Sequence, residues 1–89
     1  MNSVRPAYIK RMRDLREDAD LTQKEVASYL GTSQTMYARY ERGANELPLR
    51  HLVALCRLYG VSADYLLGES AWPSWEGEAQ AAKRGKLPK

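Results

Sequence analysis

Four glycines, Gly31, Gly43, Gly60 and Gly68, each close an amphipathic run too short to be anything but one helix of a compact bundle. The clearest unit is "DLTQKEVASYLG". Thr22, followed three residues later by Glu25, forms a capping box: the hydroxyl takes the N–H near Glu25, and that carboxylate reaches back to the Thr22 N–H. Val26, Ala27 and Leu30 mark the face to be buried. Gly31 stops the helix, since only glycine turns so sharply at no steric cost. Ser33 then offers a second N-cap, and the next helix runs from it to Arg42, before Gly43. Two helices of about eight to ten residues joined by a tight glycine turn make a helix-turn-helix.

The rest of the chain adds helices and no convincing strand. In "AYIKRMRDLRED", Tyr8, Met12 and Leu15 fall at helical spacing. Pro48 starts a fourth helix that carries Leu49, Leu52, Val53, Leu55, Cys56 and Tyr59. Ser62 caps a short fifth that carries Leu66 and Leu67. The expected fold is therefore all-α, with five helices in residues 1–68 and an appendage over 69–89. That tail holds Trp72 and Trp75; it forms a weak helix capped by Ser74, which Gly77 opposes, or it is disordered.

At 89 residues this is one domain, burying about 60% of the surface its unfolded chain exposes. The single Cys56 makes no internal disulfide, and the chain shows neither a membrane-length apolar run nor a signal-peptide pattern. A cytoplasmic protein is expected. The formal charge of +3 is weak support for a nucleic-acid partner, because Lys83, Arg84, Lys86 and Lys89 crowd the last seven positions. Any basic footprint depends on where the charges are placed.

Placement is most informative in the third helix. Counting from Ser33, residues Gln34, Thr35, Ala38, Arg39 and Arg42 share one face. Tyr37 and Tyr40 lie opposite, able to bury their rings while each hydroxyl finds a partner. Glutamine pairs bidentately with adenine and arginine with guanine, and a threonine methyl meets that of thymine. Small Ala38 permits close approach. Such a mixture on a lone helix is ordinarily a solvated face; behind a capped helix and a glycine turn, base reading is the better account. Met36, at the edge of that face, either touches a sugar or thymine methyl or fills a gap in the core. Tyr29 is expected to cover apolar surface.

"LTQKEVASYLGTSQTMYARYERG" followed by "LPLRHLVALCRLYGVSADYLLG" resembles the lambda repressor/Cro-like (XRE-type) helix-turn-helix family of bacterial and phage DNA-binding proteins, from about Tyr8 to Gly68. The resemblance implies a five-helix domain whose third helix lies in the major groove. It implies that Gln34, Thr35 and Arg39 read base edges and that Gln23, Ser33, Arg42 and Asn45 approach the DNA backbone. It also implies a structural ion pair, Arg16 with Glu41, beneath the recognition helix. Two positions depart from the family. Asp20 stands where Gly or Asn is usual at a left-handed cap, and Tyr37 replaces a smaller aliphatic residue.

The expected function is sequence-specific binding of duplex DNA as a transcriptional repressor, by a homodimer on a near-palindromic operator in a bacterial or phage-infected nucleoid. The dimer surface is Leu58, Val61 and the fifth helix, or the two tryptophans. Two rivals are an antitoxin whose tail folds on a protein partner and an interaction module that has lost DNA binding. An enzyme is disfavoured: His51 is the only histidine, expected on the surface, and it has no obvious nucleophile beside it. Cys56 sits off its face, expected as a small buried thiol, so neither a metal site nor a cofactor is expected.

Overall fold

The computed structural model describes residues 6–72; the tail positions Ser74, Trp75, Gly77, Lys83, Arg84, Lys86 and Lys89 lie outside them. Among the described residues the fold is all-helical. It comprises α1 (Ala7–Asp18), α2 (Gln23–Leu30), α3 (Gln34–Arg42), α4 (Leu49–Tyr59) and α5 (Ala63–Leu66).

Each boundary has a local cause. The Thr22 hydroxyl accepts from Glu25 N at 3.0 Å while Glu25 Oε1 accepts from Thr22 N at 2.8 Å, which completes the capping box of α2. Gly31 ends α2 at φ 76°, and the turn folds Thr32 N back onto the Ala27 carbonyl at 2.9 Å. Ser33 Oγ accepts from Met36 N at 3.0 Å, so α3 starts shortly after α2's terminator. Asp20 takes the same left-handed conformation, φ 63°, between α1 and α2. There Leu21 N donates to the Arg16 carbonyl at 3.1 Å, a turn that costs an aspartate more than a glycine.

Every helix contributes to one core: Met12 from α1, Val26 and Ala27 from α2, Tyr37 and Tyr40 from α3, Leu52 and Leu55 from α4, and Leu66 from α5. The Tyr37 and Tyr40 rings meet edge-on with centroids 6.5 Å apart. Arg11 fastens α1 to α5. Its Nη1 donates to the Tyr65 carbonyl at 2.5 Å, and its guanidinium lies 3.9 Å above the Tyr65 ring.

Several side chains differ from the sequence-based expectation. Ile9, outside the Tyr8–Met12–Leu15 pattern, is buried and lies under the turn at Gly43. His51 is 4% exposed instead of lying on the surface, its ring 5.8 Å from that of Tyr40. Leu49 and Val53 face outward at 77% and 48% exposure. The apolar stripe expected along α4 is too broad for one helix face, and packing against α5 and α2, with His51 against the Tyr40 ring, selects the side that carries His51, Leu52 and Leu55. Cys56 is only half-buried, and burial raises its thiol pKa.

Candidate nucleic-acid interface

The α3 helix has two unlike faces. Inward, Tyr37, Tyr40 and Glu41 are buried. Outward, Gln34, Thr35, Arg39 and Arg42 are exposed, with the smaller Ala38 half-buried among them. That outer strip combines amide, hydroxyl and guanidinium donors in one row, and no described side chain hydrogen-bonds across it from another helix.

The helix is held by one carboxylate. Glu41, 4% exposed, accepts from Arg16 Nε at 2.6 Å and from Arg16 Nη2 at 3.1 Å, a bidentate fork. It also accepts from Gln23 Nε2 at 3.0 Å and from the Tyr37 hydroxyl at 2.6 Å. Arg16 spends its remaining Nη1 on the Leu21 carbonyl at 2.9 Å. One side chain thus joins α1, the start of α2 and α3. Burial by itself would raise the Glu41 carboxyl, but hydrogen bonds from Arg16, Tyr37 and Gln23 outweigh it and hold the pKa below its ordinary value. The same contact raises Arg16. Burial, and then Glu41, push the Tyr37 hydroxyl far above its ordinary value. Burial pushes Tyr59 up to about 12, and its hydroxyl is the one buried side-chain polar atom without a partner among the described residues.

The other expected site residues fall as follows. Gln23 is half-buried as the first residue of α2, with one amide hydrogen engaged by Glu41 and its carbonyl oxygen and second hydrogen uncommitted by that bond. Ser33 is exposed, its hydroxyl oxygen accepting from Met36 N as the cap of α3, a bond that does not take up the hydroxyl hydrogen. Asn45 is half-buried, and its Oδ1 accepts from Arg39 Nε at 2.7 Å. Met36 is half-buried against the core, whereas Tyr29 is 51% exposed on α2. The Arg39–Asn45 bond, the Gln23–Glu41 bond and the Tyr37–Glu41 bond were absent from the sequence-based expectation. Only the last had a signal there, the four-residue spacing within one helix.

The sequence matches the helix-turn-helix family over residues 12–66, more than half of the chain. The chain belongs to that family. The match covers α2, α3 and the glycine turn between them, together with most of α1 and all of α4 and α5. An uncharacterised HTH-type transcriptional regulator, YobD of Bacillus subtilis, is 43% identical over 68% of the chain and 54% of its own length. The cryptic phage CTXphi transcriptional repressor RstR of Vibrio cholerae is 35% identical over 71% of the chain and 57% of its own. The chain thus spans about half the length of the curated relatives it matches. The P22 c2 repressor, solved in complex with a synthetic operator, superposes with a TM-score of 0.66 at 26% identity. That superposition covers 74% of this chain and the whole of the repressor chain.

No helix of the described residues is long and apolar enough to cross a membrane.

Proposed function

We propose that this chain binds duplex DNA sequence-specifically, as a transcriptional repressor, by laying α3 in the major groove. The observation that carries the proposal is the exposed Gln34–Thr35–Arg39–Arg42 face on a helix anchored from behind through Glu41. A base-reading helix must be rigid, because a side chain that is free to wander loses affinity to ordering. Gln34 presents a donor and an acceptor suited to adenine, Arg39 presents paired donors suited to guanine, and Thr35 offers a methyl to thymine. Gln23, Ser33, Arg42 and Asn45 approach phosphates on either side; Gln23 keeps one amide hydrogen for that purpose beyond its bond to Glu41. The activity is binding, without a catalytic step.

One helix of this length reads few base pairs. A homodimer on a near-palindromic operator, with its two α3 helices about 34 Å apart, supplies the rest of the specificity. The binding unit is residues 1–68, and the setting is a bacterial or phage-infected cytoplasm.

Selection of bound sequences from random duplex DNA yields the operator, and two variants then separate the roles. Arg39→Ala should cost about 1–3 kcal/mol on the operator and relax selectivity at one base pair per half-site. Arg42→Ala should weaken operator and scrambled duplex by similar factors and lower the salt slope by roughly 0.9 for each phosphate it no longer neutralises. An unchanged ratio of specific to non-specific affinity in Arg39→Ala removes Arg39 from base reading.

A further inference from the structure

Beyond Gly43 the chain doubles back on the helix it has just left. Gly43 adopts φ 77°, and the turn brings Ala44 N to the Arg39 carbonyl at 2.9 Å and Asn45 N to the same oxygen at 3.4 Å. The side chain of Asn45 is thereby carried alongside the last turn of α3. Its Oδ1 accepts from Arg39 Nε at 2.7 Å. Asn45 therefore touches Arg39 at both ends, main chain at one and guanidinium at the other. Its half-buried position contrasts with the exposure of Arg39.

The choice of nitrogen matters. A guanidinium has five N–H groups in a rigid plane, and Nε carries the single one on its inner edge. A bond at Nε fixes the plane of the group and leaves Nη1 and Nη2 free. Those two form one of the paired-donor edges available for two acceptors on a guanine. An unrestrained arginine must surrender most of its rotamer freedom on binding; one already held at Nε surrenders less.

The geometry points to Asn45 as a positioning residue that sets the orientation of the Arg39 fork, and so fixes which base Arg39 selects. This rests on the base-reading role proposed for Arg39. It assigns Asn45 a part in specificity that a phosphate contact alone would not have, because phosphate contacts carry no sequence information directly. The Oδ1 acceptor does the positioning, which leaves Nδ2 to donate to the DNA backbone. The same arrangement gives Gly43 an indirect part in specificity. Its left-handed turn is what returns residue 45 to the side of residue 39.

The test measures affinity for the selected operator, for operators altered at single base pairs, and for scrambled duplex, with thermal melts to establish that each variant is folded. Asn45→Ala should lower operator affinity about fivefold more than scrambled-duplex affinity, the worth of roughly one hydrogen bond. It should also relax selectivity at the base pair that Arg39→Ala relaxes. In the Arg39→Ala background the same change should leave selectivity unaltered, since the side chain it positions has gone. Asn45→Asp keeps an acceptor for Nε and should retain the selectivity at that base pair, even as its charge lowers affinity for every duplex. Equal losses on operator and scrambled duplex in Asn45→Ala, beside a selective loss in Arg39→Ala, would overturn the positioning role and leave Arg39 as a base reader. An Arg39→Ala variant with selectivity intact would overturn both.

Discussion

Replacing Glu41 by alanine removes the acceptor on which three helices converge, and the cost can be assembled from its partners. The Arg16 side chain is 13% exposed and would keep the Leu21 carbonyl at 2.9 Å and a distant Glu17 carboxylate at 4.0 Å. A buried cation stripped of its carboxylate costs about 3–5 kcal/mol, and its residual exposure argues for the lower end. The Tyr37 hydroxyl, on a fully buried residue, loses the bond it makes to Glu41, for about 1 kcal/mol more. The expected loss is about 4 kcal/mol, a large part of the roughly 5–10 kcal/mol that holds a domain of this size together. Urea unfolding followed by far-ultraviolet circular dichroism measures it. Removing both charges together, Arg16→Met with Glu41→Leu, should cost less than Glu41→Ala alone, because no ion is then stranded. A loss below about 1 kcal/mol in Glu41→Ala, or a double variant weaker than the single, would refute the charge-stranding account.

Three further outcomes follow from the same packing. The folded state holds the Glu41 carboxyl below its ordinary value of 4.5, so its stabilisation is present above that pH and lost as pH falls through the lowered folded value. Acid titration of stability should therefore be flatter below about pH 4.5 in Glu41→Gln than in the parent. Burial, and secondarily the charge of Arg50, hold His51 below 6.5; below that pH the unfolded chain gains a proton that the folded chain resists. Melting temperature should thus fall between about pH 7.5 and about pH 5.5, and less so in His51→Phe; an equal fall in both would contradict this. Gly31→Ala meets only the left-handed backbone cost, about 1 kcal/mol, since nothing lies within 4 Å of the added carbon. Gly43→Ala should cost more, because its Cβ would stand 2.8 Å from Ile9 Cδ1; equal losses would show that Ile9 moves freely aside.

Much of the helix-turn-helix was legible in the residues themselves. Thr22 with Glu25, Gly31, Ser33 and Gly43 act over three to five residues, and the bonds they make in the structure are those their spacing specifies. The outward row on α3 was legible for the same reason, since helical period alone fixes which of its residues share a face. What period leaves open is the rotation of each helix about its own axis. The α4 sequence offers apolar residues over too wide an arc, and only its packing against α5, α2 and the Tyr40 ring turns His51 inward and leaves Leu49 and Val53 outside. Ile9 is likewise buried because Gly43, far away in sequence, leaves room above it. The Arg16–Glu41 juxtaposition came with the family resemblance, whereas the convergence of Gln23 and Tyr37 on that same carboxylate did not. Local propensities act along the chain; a carboxylate buried at a junction of three helices gathers whichever donors the packing brings within reach, and the sequence does not record those distances.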